Sequence, residues 1–101
     1  MIPSLARLLE EQAAAEPGIE ASTADGATSW SRAGRAFAVA AASGVEIRLD
    51  RAIAAAALRT PDVGPSSRGP EWVRFNPREL DGHAVDRITA WFGLAYRRAA
   101  E

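Results

Sequence analysis

At 101 residues the chain is sized for one domain (residues 1–101), and 48% hydrophobic against 25% charged residues is ordinary for a soluble globule. Such a length can bury roughly 65% of its unfolded surface, enough for one modest core without staples. Cysteine is absent, which excludes disulfides and thiolate metal sites, and a formal net charge of −1 argues against non-specific nucleic-acid binding.

No apolar run approaches the roughly 20 residues that span a bilayer. The opening Met1-Ile2-Pro3-Ser4 lacks the basic region of a secretory signal, so the expectation is a cytoplasmic protein without a membrane partner. All twelve basic residues are arginine. With the abundant alanine, this fits GC-rich codon usage, yet it leaves room for a local arginine patch.

Ser4 to Glu16 reads as a helix: Leu5, Leu8, Leu9 and Gln12 follow helical spacing, and Ser4 is a candidate N-cap. Pro17-Gly18 ends it. Ile19–Ala24 and Ala27–Ser31 are candidate strands around Asp25-Gly26, a two-residue hairpin signal because both turn positions need positive φ. A second turn at Arg32-Ala33-Gly34-Arg35 leads to a strand from Arg35 to Ala40, with Phe37 and Val39 expected on one face. Ser43-Gly44 turns the chain into Val45–Leu49, whose strict alternation sends Val45, Ile47 and Leu49 to the core and Glu46 and Arg48 outward.

Asp50 caps a predicted short helix, Arg51 to Leu58, with Ile53, Ala56 and Ala57 inward. Thr60–Pro70 is dense in proline, glycine and serine and reads as a loop. Glu71 to Asn76 is the next strand. Asp81 then caps a long amphipathic helix in which Leu80 and Val85 form a hydrophobic staple. Val85, Ile88, Phe92, Ala95 and Ala99 line its inner face, Trp91 and Tyr96 flank that stripe, and Arg97-Arg98 suit the C-terminal dipole end. The expected fold is α+β: a single antiparallel sheet of about five strands with helices packed on one face, in the order α-β-β-β-β-α-β-α.

Trp72-Val73-Arg74-Phe75, followed by a helix ending Trp91-Phe92-x-Leu94-Ala95-Tyr96-Arg97-Arg98, resembles the luciferase-like domains, a group related to the MmcQ/YjbR-like fold. The resemblance covers roughly residues 35 to 99. Glu71 departs from the glycine common before the tryptophan, and Ala95 from the serine that YjbR-type members often carry before the tyrosine. These are packing motifs, so the resemblance implies a fold and carries over no functional residue. It implies DNA binding only as an alternative, by analogy with YjbR-type members.

No Walker loop, dinucleotide fingerprint, nucleophile elbow or metal-ligand spacing is present, so no cofactor and no metal are expected. His83 is the sole histidine and stands two residues after the Asp81 cap. A small enzyme using His83 is one alternative, and a surface histidine is the simpler reading. The other candidate is a binding surface. If Val73 and Phe75 face the core, Trp72 and Arg74 face the other side of the sheet, an arginine–tryptophan pair suited to recognition. In the opposite register Trp72 is core. Arg32, Arg35, Arg48, Arg68, Arg74 and Arg78 would join an anion-binding face, unless Glu46 and Glu71 neutralise it. The sequence thus points to a non-enzymatic binding or accessory module acting through Trp72, Arg74, Arg48, Arg35, Arg68 and the 60–70 loop. Its partner would be a protein or an anionic ligand, and it would act as a monomer or homodimer.

Overall fold

In the computed structural model, which describes all 101 residues, three helices and six strands follow the order α1 (Pro3–Ala15), β1 (Ile19–Ala24), β2 (Ala27–Arg32), β3 (Arg35–Ala41), β4 (Gly44–Arg48), α2 (Arg51–Ala57), β5 (Val63–Pro65), β6 (Trp72–Phe75) and α3 (Gly82–Ala99). The fold is α+β with one open antiparallel sheet ordered β1-β2-β3-β4-β6-β5. No helix is long and apolar enough to cross a membrane.

The first three hairpins are local. Asp25-Gly26 adopts φ of 53° and 77°, and Ala33-Gly34 repeats those values. Both turns have the two positive φ angles whose twist matches that of the flanking strands. β4 then pairs with β6 instead of β5, so α2 and β5 form an excursion before the chain returns to the sheet.

The additional strand, β5, corrects the reading of Thr60–Pro70 as all loop. Val63–Pro65 pairs along β6 from Phe75 to Val73. Pro65 has no N–H to donate, but an edge strand needs none on its outer side. Val63 packs against the core, which ties the excursion to the sheet.

Trp30, Ala38, Val45, Ile47, Val73 and Phe75 project from the sheet to the helices and join Leu5, Leu9, Ala54, Ile88, Trp91 and Phe92 in one cluster. Aromatic rings meet edge to face at its centre: Phe37 and Phe92 at 5.2 Å, Phe75 and Trp91 at 5.5 Å, Trp30 and Phe92 at 6.0 Å. Such pairs add about 0.5–1.5 kcal/mol each beyond burial. Trp91 and Tyr96, expected at the flanks of the stripe, are buried within it. The Tyr96 hydroxyl donates to the Pro17 carbonyl at 2.6 Å, tying α3 to the α1–β1 connection.

Phe37 and Val39 do not share a face as expected. Trp30 pairs with Ala38 and Ser31 with Ala36, so Phe37 is the extra residue of a β-bulge. The bulge turns Phe37 inward beside Ala38 and returns Val39, paired with Glu46, to the side away from the helices. In α1 the helix begins at Pro3, so Ile2 takes the cap position without a side-chain bond, and Ser4 is already helical. Leu5, Leu9 and Ala13 are the buried positions there, while Leu8 is half-buried. In α2 the buried residues are Ala54 and Ala57, whereas Ile53 and Ala56 are exposed. Asp50 caps that helix through Ala52 N–H, and Asp81 caps α3 through Ala84 N–H, both as expected.

A candidate anion-binding cleft

The register of β6 decides the surface chemistry. Val73 and Phe75 are buried and pair with Ile47 and Val45, so they face the helices. Alternation then puts Trp72 and Arg74 on the opposite face beside Arg48 and Glu46. Trp72 is half-buried and Arg74 exposed. The alternative in which Trp72 belongs to the core does not hold, because β4 and β6 are fixed together by their inward Val45, Ile47, Val73 and Phe75.

The segment after β5 folds back over this face. Ser66 donates through its hydroxyl to the Glu46 carboxylate, and Arg68 Nε donates to the same carboxylate at 3.3 Å. The Arg68 N–H returns to Ser66 Oγ at 3.1 Å, and the Gly69 N–H to the Ser66 carbonyl at 3.3 Å. The loop is thereby held as a turn by its own side chains and by Glu46. Arg68 also lies over the Trp72 ring, 5.4 Å from its centre.

Where β3 begins, β4 ends and β6 begins, these groups enclose a cleft of about 500 Å³. Arg35, Arg48, Arg51, Arg68, Glu71 and Trp72 supply its charged and aromatic side chains, with Gly69 and Pro70 as part of its wall. Glu71 fixes Arg48, which donates from Nε at 3.3 Å and from an η nitrogen at 3.2 Å. Arg98 from the last turns of α3 grips both Glu71 oxygens, at 3.2 and 3.4 Å. The guanidinium of Arg98, followed by that of Arg48, holds the Glu71 carboxyl below its ordinary value of 4.5, against a smaller opposing effect of desolvation. The arginine side chains around the cleft are thus partly neutralised, by Glu46 and Glu71. Arg51 has no hydrogen bond or ion pair, and Arg35 donates only to the main-chain oxygen of Glu101.

Four of the residues singled out in the sequence, Arg35, Arg48, Arg68 and Trp72, therefore line one cleft. Arg74 lies farther along β6 and does not line it. Arg32 is directed elsewhere: it stacks over Tyr96 at 3.9 Å and donates to the Tyr96 carbonyl at 3.1 Å, on the helix side. Arg78 lines a separate cleft of about 330 Å³ with Asp62, Glu79, Asp81, His83 and Arg87. Arg51 was not singled out in the sequence, because its position at the start of α2 gave it only a helical role. Its place beside Arg48 follows from the short Leu49-Asp50 link between β4 and α2.

His83 is exposed and makes no hydrogen bond to Asp62, Glu79 or Asp81, and Asp81 is engaged as the α3 cap. No three of the chain's histidine, aspartate and glutamate side chains come together as a metal-ligand set. No protein-family model, curated protein or solved structure matches the chain.

Proposed function

We propose that the chain is a non-enzymatic binding module whose ligand is anionic and enters the cleft between the 66–69 turn and the sheet. The observation that carries this reading is the convergence of Arg35, Arg48, Arg51 and Arg68 around Trp72, on a chain whose net charge is −1. Guanidinium groups held by partners lose less freedom on binding than free side chains do, and Arg48 and Arg68 are so held. Arg51 makes no hydrogen bond or ion pair, and Arg35 makes one hydrogen bond, to the main-chain oxygen of Glu101. The one hydroxyl–carboxylate pair near the cleft, Ser66 with Glu46, does not line it and its carboxylate is held by Arg68, and His83 lies in a different cleft, so binding accounts for the residues better than catalysis does.

Intrinsic fluorescence tests the reading. Trp30 and Trp91 are buried, so a ligand in the cleft changes the emission of Trp72. Titration at low salt with a panel of small anions and with single-stranded DNA should give a saturable change that weakens as salt rises and disappears in Trp72→Phe. An unchanged emission with every anion at low salt removes the proposal. A saturable change with DNA alone would favour the nucleic-acid alternative implied by the YjbR resemblance.

A further inference from the structure

We propose that the group recognised in the cleft is a phosphate monoester, carried by a small molecule. The inference rests on the anion-binding reading above and narrows it to one chemistry. Its first support is charge. Arg35, Arg48, Arg51 and Arg68 line the cleft, where Glu71 pairs with Arg48 and Glu46 with Arg68. Arg98, behind Glu71, borders a neighbouring cleft with Asp50 and Glu101. Four guanidinium groups against two carboxylates leave a surplus that one carboxylate ligand cannot match. A phosphate monoester carries about −1.5 to −2 charges at neutral pH and three strong acceptor oxygens.

Its second support is geometry. Arg51 makes no hydrogen bond or ion pair and Arg35 bonds only the main-chain oxygen of Glu101, and two such guanidinium groups in one cleft suit a compact group with several acceptor oxygens. The third is size and lining. A cleft of about 500 Å³ lies in the small-ligand range of about 300–1,000 Å³, and Trp72 is the sole large aromatic side chain in it. The phosphate therefore sits toward Arg35 and Arg51, and the rest of the ligand toward Trp72.

Calorimetric titration of the intact chain with inorganic phosphate, adenosine monophosphate, adenosine and citrate is the test. Phosphate and adenosine monophosphate should bind and adenosine should not. Affinity should fall as pH drops through about 6, where a phosphate monoester takes up its second proton. Arg35→Gln and Arg51→Gln should each weaken binding about tenfold or more, since each removes charge-assisted bonds. Both residues are exposed, so these variants retain the fold, which circular dichroism checks. Arg74→Gln, on the same face outside the cleft, should leave affinity unchanged.

Equal affinity for phosphate and adenosine monophosphate overturns the monoester assignment and leaves a site for inorganic phosphate. Tighter adenosine monophosphate marks a phosphate carried on a planar group. Binding of citrate without phosphate or adenosine monophosphate overturns this inference and leaves the anion-binding reading standing. No binding by any of the four overturns both. An Arg74→Gln loss equal to that of Arg51→Gln overturns the inference too, because the attraction would then be diffuse charge.

Discussion

Gly44 has a φ of +128°, and a Cβ built there would lie 2.7 Å from the Phe75 carbonyl oxygen. The glycine thus lets β4 start against the end of β6, which seats the strand pair that carries Arg48 and Trp72. Gly44→Ala should lower stability by at least about 1–3 kcal/mol, measured by urea denaturation, because backbone strain and a backbone clash act together. Ala33 is the converse case, a non-glycine residue at φ 53° in an exposed hairpin turn. Ala33→Asn should raise stability by about 0.5–1 kcal/mol, since asparagine tolerates that conformation and alanine pays for it. Glu71 makes a prediction about pH. Its carboxyl is held below 4.5 in the folded chain by Arg98 and Arg48, so the unfolded chain binds the proton more readily. The stability that this pairing contributes is complete above about 4.5 and is lost as pH falls through the lower folded value. Glu71→Gln should therefore show a shallower loss of stability between pH 5 and pH 3 in thermal melts. An unchanged acid profile would mean that the arginine grip on Glu71 contributes nothing to folding.

The seven-residue α2 shows where side-chain pattern stops specifying an element. Its sequence, Arg51-Ala-Ile-Ala-Ala-Ala-Ala, carries one large apolar residue, and that residue is exposed while Ala54 and Ala57 are buried. The helix is set by its link to Leu49 and by packing against β6, where small side chains allow close approach. Ala54→Leu should then cost about 1–3 kcal/mol by overpacking, whereas Ile53→Ala should stay within about 0.5 kcal/mol. Equal losses in chemical denaturation would contradict the observed rotation of the helix. The same contrast explains what the chain makes legible elsewhere. Strict alternation fixes β4, positive-φ pairs fix two hairpins, and a cap plus an apolar stripe fix α3, because each signal is local. The Phe37 bulge, the β5 edge strand and the buried flanks of α3 depend on partners distant in sequence, which periodicity does not contain. The cleft divides in the same way. Arg48 and Trp72 follow from the alternation of two strands, once Val73 and Phe75 are placed inward. Arg51 follows only from the β4–α2 junction, and the exclusion of Arg74 only from the end of the sheet on which the cleft lies.

Over the whole molecule, the two edges of the sheet are guarded unequally. β5 is three residues long and ends in Pro65, so it offers little backbone for pairing. β1 is six residues long, exposed over all but Ile19, free of proline, and bears one charge, Glu20. Glu10 lines a cleft with Ile19, Ala21 and Thr23 of β1, and Glu16 and Asp25 flank the strand in sequence, all three exposed, while the arginine cleft lies at the strand ends nearer β6. Two copies approaching through β1 would bring these acidic groups together, and that repulsion opposes the backbone pairing that the free edge invites. Glu20 is the charge within the strand itself, and antiparallel pairing of two β1 strands about Ala21 would place it opposite Ser22 of the second copy. Removing it lowers the repulsion without altering the core, since its side chain is exposed. Glu20→Ala should therefore associate at lower concentration than the unaltered chain, measured by light scattering over a concentration series. Ser22→Lys should not mimic Glu20→Ala if backbone pairing is the route, because lysine on an edge strand guards it. Association of this kind leaves the cleft uncovered, since β2 lies between β1 and the start of β3, where the cleft begins. Anion affinity per chain should then be the same in the Glu20→Ala assembly as in the unaltered protein. A scattering curve for Glu20→Ala that overlays that of the unaltered chain would show that the edge is guarded by something other than this charge.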